Sequence, residues 1–167
     1  IEFKLRDTII LPSRPTFKSR VKSFDSYYRK VLRIKPPLKE EFPLPLLTDM
    51  MGIRMICAFL EDINLAVEQL KEIFEVKEVE IKGAEKKFSE FGYESVHVLI
   101  RIPEKCMPKF EGKFKNLKKV SDEIVCEIQI RTILQDAWAE VEHELIYKTE
   151  FNPFDIPLRR KLASLNA

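Results

Sequence analysis

EIQIRTILQDAWAEVEHELIYK, residues 127–148, joins a strand to a helix, and its reading sets how the rest of the chain is interpreted. Side chains alternate over Glu123–Arg131. Glu127, Gln129 and Arg131 share one face, while Cys126, Ile128 and Ile130 occupy the other. From Thr132 the period becomes helical: Thr132 and Gln135 match a capping box, and Leu134, Trp138, Val141 and Leu145 form an apolar stripe. The spacing predicts a helix over Thr132–Lys148. A carboxylate, an amide and a guanidinium in one row are either a solvent-facing edge or the floor of a site, and the strand alone leaves both open.

Upstream, Gly52–Phe59 (GIRMICAF) is a near-continuous apolar run, which suits a central strand. A helix is expected over Asp62–Phe74, with Leu65, Leu70, Ile73 and Phe74 as its buried face. Val76–Lys82 alternates as a strand, and a Gly-containing loop then leads to Gly92 and a strand at Glu94–Ile102. Pro103–Ser121 is Lys-rich and reads as a surface hairpin or long loop. Near the start, Thr16–Lys22 alternates with Lys18, Arg20 and Lys22 opposite Phe17 and Val21. Ser23–Arg33 reads as a helix ended by Pro36-Pro37, and a Pro-rich loop to Pro45 delivers the chain to Asp49. Strands interleaved with helices predict an α+β fold, a mixed β-sheet flanked by helices.

The 167 residues suit one domain, and 45% hydrophobic with 34% charged is ordinary for a globular enzyme. The net charge of +2 is too small to indicate a nucleic-acid binder. Its distribution is more informative. Arg14, Lys18, Arg20, Lys22, Arg29, Lys30, Arg33, Lys35 and Lys39 fall between residues 14 and 39, against the acid Asp25. Such a block expects a polyanion, phosphates first. The alternative, a solvated arm, sits poorly with the embedded aromatics Phe17, Phe24, Tyr27 and Tyr28. Cys57, Cys106 and Cys126 have no paired spacing, so neither a zinc site nor a disulfide framework is expected, and a reducing cytoplasm suits them. No apolar stretch approaches the roughly 18 residues of a membrane span, and no signal-peptide pattern opens the sequence. The missing initiator Met and the helix-like run Pro157–Ala167 lead us to expect a piece of a longer chain.

Four elements carry candidate chemistry. In EIQIR, Glu127 could act with polar residues on neighbouring strands, including Arg20, Lys22, Arg54 and His97. Asp49 precedes the buried strand, where it either caps a loop or presents a metal ligand at the sheet rim; two carboxylates suffice for Mg2+ when water and phosphate oxygens complete its shell. Arg20 and Lys22 point one way from their strand, and Ser26, Lys30 and Arg33 lie on one face of the following helix at i, i+4 and i+7. That corner gathers cations around one pocket, as a phosphate ligand needs, or it is a solvated basic face. In FGYESVH, residues 91–97, Gly92 permits close backbone approach, Tyr93 could stack on a base or simply pack, and His97 could be a ligand contact or a hydrogen-bonded sheet residue.

Together SRVKSFDSYYRK (19–30), DMMGIRMIC (49–57), FGYESVH (91–97) and EIQIRTILQDAWAEVEHELIYK (127–148) resemble the synthetase domain of the RelA/SpoT family, in particular its single-domain small alarmone synthetases. The resemblance spans about residues 16–148 of a single domain over 1–167. It implies a nucleotidyltransferase-like sheet and Mg2+-dependent transfer of the β,γ-pyrophosphate of ATP to the 3′-hydroxyl of GDP or GTP, giving ppGpp or pppGpp. By the resemblance, Arg20 and Arg54 hold the adenine, while Lys22, Ser26, Lys30 and Arg33 take the ATP phosphates. Asp49 and Glu127 bind Mg2+, and Glu127 also accepts the proton of the attacking hydroxyl. Tyr93 stacks on the acceptor base, with His97 and Gln129 nearby. Small synthetases often form homotetramers through terminal helices, which are largely missing or shortened in this sequence; the resemblance allows a homo-oligomer without fixing it.

Two departures bear on the acceptor. In KFSEFGY, residues 87–93, Ser89 stands at the family's usual Lys position and Phe91 precedes Gly92, which leaves Lys86 or Lys87 to grip the acceptor phosphates. Asp136 stands where small synthetases can carry Asn; it either accepts hydrogen bonds from guanine or is an exposed helix acid. A related reading keeps the donor and takes an adenine nucleotide or a tRNA 3′ end as acceptor, with Lys105–Lys119 contacting RNA. A non-catalytic nucleotide sensor is a further alternative. Alarmone hydrolysis needs a separate His-rich metal domain, and His97 and His143 do not supply one; His143 reads as structural.

Overall fold

Four segments of alternating sequence and one near-continuous apolar run assemble into one sheet of order β1-β2-β5-β4-β3 in the computed structural model, which describes residues 1–34, 47–82, 95–106 and 124–148, with 104 and 142–148 as backbone only. The elements are α1 (Glu2–Thr8), β1 (Thr16–Val21), α2 (Phe24–Ile34), β2 (Met51–Cys57), α3 (Leu60–Ile73), β3 (Val76–Lys82), β4 (Ser95–Arg101), β5 (Val125–Thr132) and α4 (Ile133–Lys148). A short 3-10 turn, Glu104–Cys106, follows β4. The pair β2–β5 is parallel and the other three are antiparallel, so the sheet is mixed, as expected. The apolar run of β2 lies between β1 and β5, an interior position consistent with its composition.

The sheet has one apolar face. Phe17, Ile53, Met55, Cys57, Val98, Ile100, Cys126, Ile128 and Ile130 form a continuous core with Ile63, Ala66, Val67 and Leu70 of α3. These α3 residues follow i, i+3, i+4, i+7, the phase of a core-facing helix stripe. Leu65, expected in that stripe, is instead 46% exposed. Its position is one residue out of phase with Ala66, whose small side chain hides the true stripe from a reading that weighs bulk. Leu70 and Phe74 are buried as expected, and Ile73 is partly so. Burial raises the thiol pKa of Cys57 to about 12 and of Cys126 to about 11, so both are protonated and inert at neutral pH.

An element with no counterpart in the sequence reading, α1, lies before residue 16; its Leu5 and the Ile9 that follows its last turn join this core. Lys4 Nζ donates to the Ile73 carbonyl at 3.1 Å and Arg6 Nη2 to the Phe17 carbonyl at 3.2 Å, so α1 is tied to both α3 and β1. Buried Asp62 adds a third tie, accepting from Ser13 Oγ at 2.6 Å and from the Phe59 N–H at 3.3 Å at the start of α3.

Helix α4 forms where expected, and its capping box is made: the Thr132 N–H donates to Gln135 Oε1 at 2.8 Å, and the Gln135 N–H to Thr132 Oγ1 at 3.2 Å. The apolar stripe is only partly covered: Trp138 is half-buried, with its indole nitrogen out of reach of solvent. Leu134 is 67% exposed and Val141 41%, whereas Gln135 and Asp136 are buried; the Leu145 side chain lies outside the described residues. The reason is electrostatic. The first turn of α4 sits over the polar face of the sheet, and Asp136 turns inward to meet cations there. Among the described residues, no helix is long and apolar enough to cross a membrane.

Candidate active site

Strand register builds the polar face row by row. Lys18, Arg54, Gln129 and His97 pair across β1, β2, β5 and β4, and beside them Arg20, Gly52 and Glu127 form a second row. Gly52 leaves that second row without a side chain between Arg20 and Glu127. A Cβ there would make an ordinary contact with the Glu127 carbonyl oxygen at 3.9 Å and meet nothing closer among the described residues. Arg20 and Arg54 are diagonal neighbours through the Lys18–Arg54 pair, a separation that long side chains span.

At the open end of β1 the chain turns into α2, whose start is capped by Ser23 Oγ accepting the Ser26 N–H at 3.3 Å. The Lys22 N–H donates to the Met50 carbonyl at 2.8 Å and anchors the segment that carries Asp49. Lys22 Nζ and Lys30 Nζ then converge on Asp49 Oδ2, at 2.8 and 2.7 Å. Burial opposes ionisation of Asp49, but hydrogen bonds and attraction from the two lysines outweigh it and hold the carboxyl below its ordinary range. Asp49 Oδ1 is buried and makes no hydrogen bond among the described residues. Ser26 and Arg33 are exposed on α2, and Arg20 is exposed on β1.

Glu127 is the hub of the sheet centre. Its Oε1 lies 2.7 Å from His97 Nδ1, and its Oε2 accepts from Gln129 Nε2 at 2.8 Å. His97 Nε2 in turn lies 2.7 Å from Ser95 Oγ. Burial pushes the Glu127 pKa up, yet the hydrogen bonds from His97 and Gln129 prevail and keep it lowered. The carboxylate is therefore ionised at neutral pH, and Nδ1 of the imidazole must carry a proton to donate to it. The row Glu127–Gln129–Arg131 is a set of joined polar groups, half-buried at Glu127 and Gln129 and buried at Arg131, not a solvent-facing edge.

Asp136 is 6% exposed, which removes the reading as an exposed helix acid. Its Oδ2 pairs with Lys18 Nζ at 3.1 Å, and its Oδ1 with Arg54 Nη1 at 2.9 Å and Arg131 Nη1 at 3.5 Å. Arg54 Nη1 also meets Glu140 at 2.5 Å. Burial and the neighbouring Arg54 charge lower Arg131 to about 10, so it stays protonated at neutral pH.

The structure therefore brings Lys22, Lys30 and Asp49 together at one end, His97, Glu127 and Gln129 at the centre, and Arg54 with Asp136 beside them. Tyr93, Lys86 and Lys87 lie outside the described residues, as do Lys109–Lys119; Lys105 is exposed. Lys18 and Ser95 were placed on strand faces by the sequence but given no role, and Glu140 was not singled out. The alternation of β1 and β4 put the first two on the polar face, but only tertiary contact shows what they touch.

These features define an α+β domain of nucleotidyltransferase type, a mixed sheet with one apolar face and one charged face bearing two carboxylate centres. The model of the "Region found in RelA / SpoT proteins" matches residues 19–152, and the chain belongs to the RelA/SpoT family. It is 34% identical over 131 residues to GTP pyrophosphokinase YwaC of Bacillus subtilis, covering 78% of this chain and 57% of that protein. It is 32% identical over 148 residues to GTP pyrophosphokinase YjbM of the same organism, covering 87% of this chain and 63% of the relative. The chain thus spans somewhat less than two thirds of either relative. The crystal structure of small alarmone synthetase 1 from Bacillus subtilis bound to its product pppGpp superposes with a TM-score of 0.65 at 27% identity, over 90% of this chain and 71% of that one.

Proposed function

We propose that this chain transfers the β,γ-pyrophosphate of ATP to the 3′-hydroxyl of GDP or GTP, making ppGpp or pppGpp in the cytoplasm. The observation that carries the reading is the convergence of Lys22 and Lys30 on Asp49, a short step along the chain from the notch between Arg20 and Glu127. In the transfer the 3′ oxygen forms a bond to the β-phosphorus, the bridge to the α-phosphorus breaks, AMP leaves, and the hydroxyl proton goes to a base. Such a reaction needs alignment and charge neutralisation more than covalent help.

Arg20 and Arg54 hold the adenine between guanidinium planes, which their diagonal placement supports. Lys22, Lys30, Ser26 and Arg33 take the phosphates; the two lysines exchange part of their interaction with Asp49 for phosphate oxygens. Glu127 receives the proton. It is ionised, and a carboxylate has about four acceptor positions, so the donors His97 and Gln129 leave room for the hydroxyl. Tyr93 stacks on the acceptor base.

Asp49 and Glu127 are the residues that would hold Mg2+. The buried Oδ1 of Asp49, bonded to no described residue, and a donor set of two carboxylates fit an ion that keeps several waters and takes phosphate oxygens. When bound, the ion neutralises charge on the transferred group.

The test is incubation with β,γ-labelled ATP and, separately, GDP, GTP, AMP and tRNA. Label on a guanine nucleotide with equimolar AMP is expected. Label on tRNA or AMP alone would transfer the reading to the other acceptor class, and no label anywhere would leave a nucleotide sensor.

A further inference from the structure

We propose that Arg131 is a positioning residue that orients the catalytic Glu127 through the amide of Gln129, while Asp136 holds its other end against the donor-side Arg54. The inference rests on the reading above for the word catalytic, but its geometry does not. Arg131 Nη2 donates to Gln129 Oε1 at 2.8 Å, and Gln129 Nε2 donates to Glu127 Oε2 at 2.8 Å. A guanidinium has only donors and an ionised carboxylate only acceptors. A primary amide between them has one satisfying orientation, oxygen toward Arg131 and nitrogen toward Glu127. Glu127 takes the NH2 end of Gln129, and Arg131 holds the amide in place by its oxygen.

The arrangement extends further. Arg131 Nη1 lies 3.5 Å from Asp136 Oδ1, which Arg54 Nη1 meets at 2.9 Å, with Lys18 on the other oxygen at 3.1 Å. From Ser95 through His97, Glu127, Gln129, Arg131 and Asp136 to Arg54, polar groups follow one another across three strands and a helix start. Both Arg131 and Asp136 are buried, at 5% and 6% exposure, so these are fixed contacts and not surface pairs. The proton-accepting carboxylate and the arginine assigned to the adenine are thereby held in one frame. A site that must align two nucleotides needs such support, because small displacements of positioned groups are costly in rate.

The experiment uses Arg131→Lys, which keeps a charge opposite Asp136 but whose single ammonium cannot span both partners, with Arg131→Met as a second variant. Gln129→Ala and the double variant complete a cycle. Arg131→Lys is expected to lower kcat about 10–100-fold, the usual cost of losing an outer-shell partner, with the KM for ATP changed far less. The double variant should be no slower than Gln129→Ala alone. A kcat within a factor of about two of the parent, or costs that multiply in the double variant, overturns the proposal.

A second readout needs no turnover. The side-chain NH2 resonances of Gln129, assigned by their loss in Gln129→Ala, should shift and exchange faster in Arg131→Lys; unmoved resonances overturn the proposal whatever the activity. A parent chain inactive toward every acceptor defeats the proposed function instead, and the amide resonances still decide this inference.

Discussion

The two faces of one sheet are held to their neighbours by different physics. Beneath it, Met55, Val98, Ile128 and Ile130 meet Ala66, Val67 and Leu70 of α3 and Leu5 of α1, contacts that are non-directional and sum over area. Above it, Lys18, Arg54, His97, Glu127, Gln129, Arg131 and Asp136 meet through specific atoms at specific distances. The lower face loses stability when apolar volume is removed, by an amount set by the atoms lost and the cavity they leave. The upper face tolerates little change of chemistry, since each buried donor or acceptor left alone costs more than its bond contributed. Stability and activity should therefore separate by face.

The sharpest break of that comparison is Glu127→Gln, nearly isosteric and without a charge to accept a proton. Transfer from ATP to a guanine nucleotide should fall about 10²–10⁴-fold, while calorimetric binding of a non-hydrolysable ATP analogue stays near the parent. Turnover close to the parent would remove Glu127 as the base. On the opposite face, Leu70→Ala, at a fully buried position, should cost about 2–5 kcal/mol in urea unfolding. Leu5→Ala belongs to the same class and asks whether α1 is integral to the core; a cost near zero would detach it.

Acid should act through the polar face. Asp49 and Glu127 both have lowered pKa values in the folded chain, so the stability they add is present above the unfolded carboxylate range and is lost as pH falls through their folded values. Urea midpoints should hold from neutrality down to about pH 5 and decline below about pH 4. Asp49→Asn should make that decline shallower; an unchanged slope would mean that its lysine pairs contribute nothing net. The smallest effect is expected at Leu65→Ala, out of phase with the core stripe, where urea unfolding should change by no more than about 0.5 kcal/mol. A loss as large as that of Leu70→Ala would return Leu65 to the core.

Much of the lower face was legible because burial leaves a period: strands β1 to β5 and helices α2 to α4 appear within about two residues of where alternation, apolar runs and caps put them. The misreadings share one cause. Leu65 and the α4 stripe were judged from apolar bulk, yet Ala66 proves the better-buried neighbour and Asp136 draws its helix inward. Helix α1 is short, and its burial of Leu5 depends on β1 and α3 being in place. On the polar face, the alternation placed Glu127, Gln129 and Arg131 together, and the α2 spacing aligned Lys30 with its neighbours. Neither could tell a solvated row from a joined one.

The order of residues alone determined which side chains share a face, since a strand or helix repeats with its own period wherever it lies. It also carried the family likeness in four separated motifs. Only the tertiary structure decided partners: that Asp49 answers two lysines, that Asp136 is buried against Arg54, and that Arg131 sets the amide beside Glu127. The first two join residues far apart in sequence, and their geometry follows from strand order and register, which no local period encodes. The third lies within β5, where the period aligns the side chains and burial under α4 joins them.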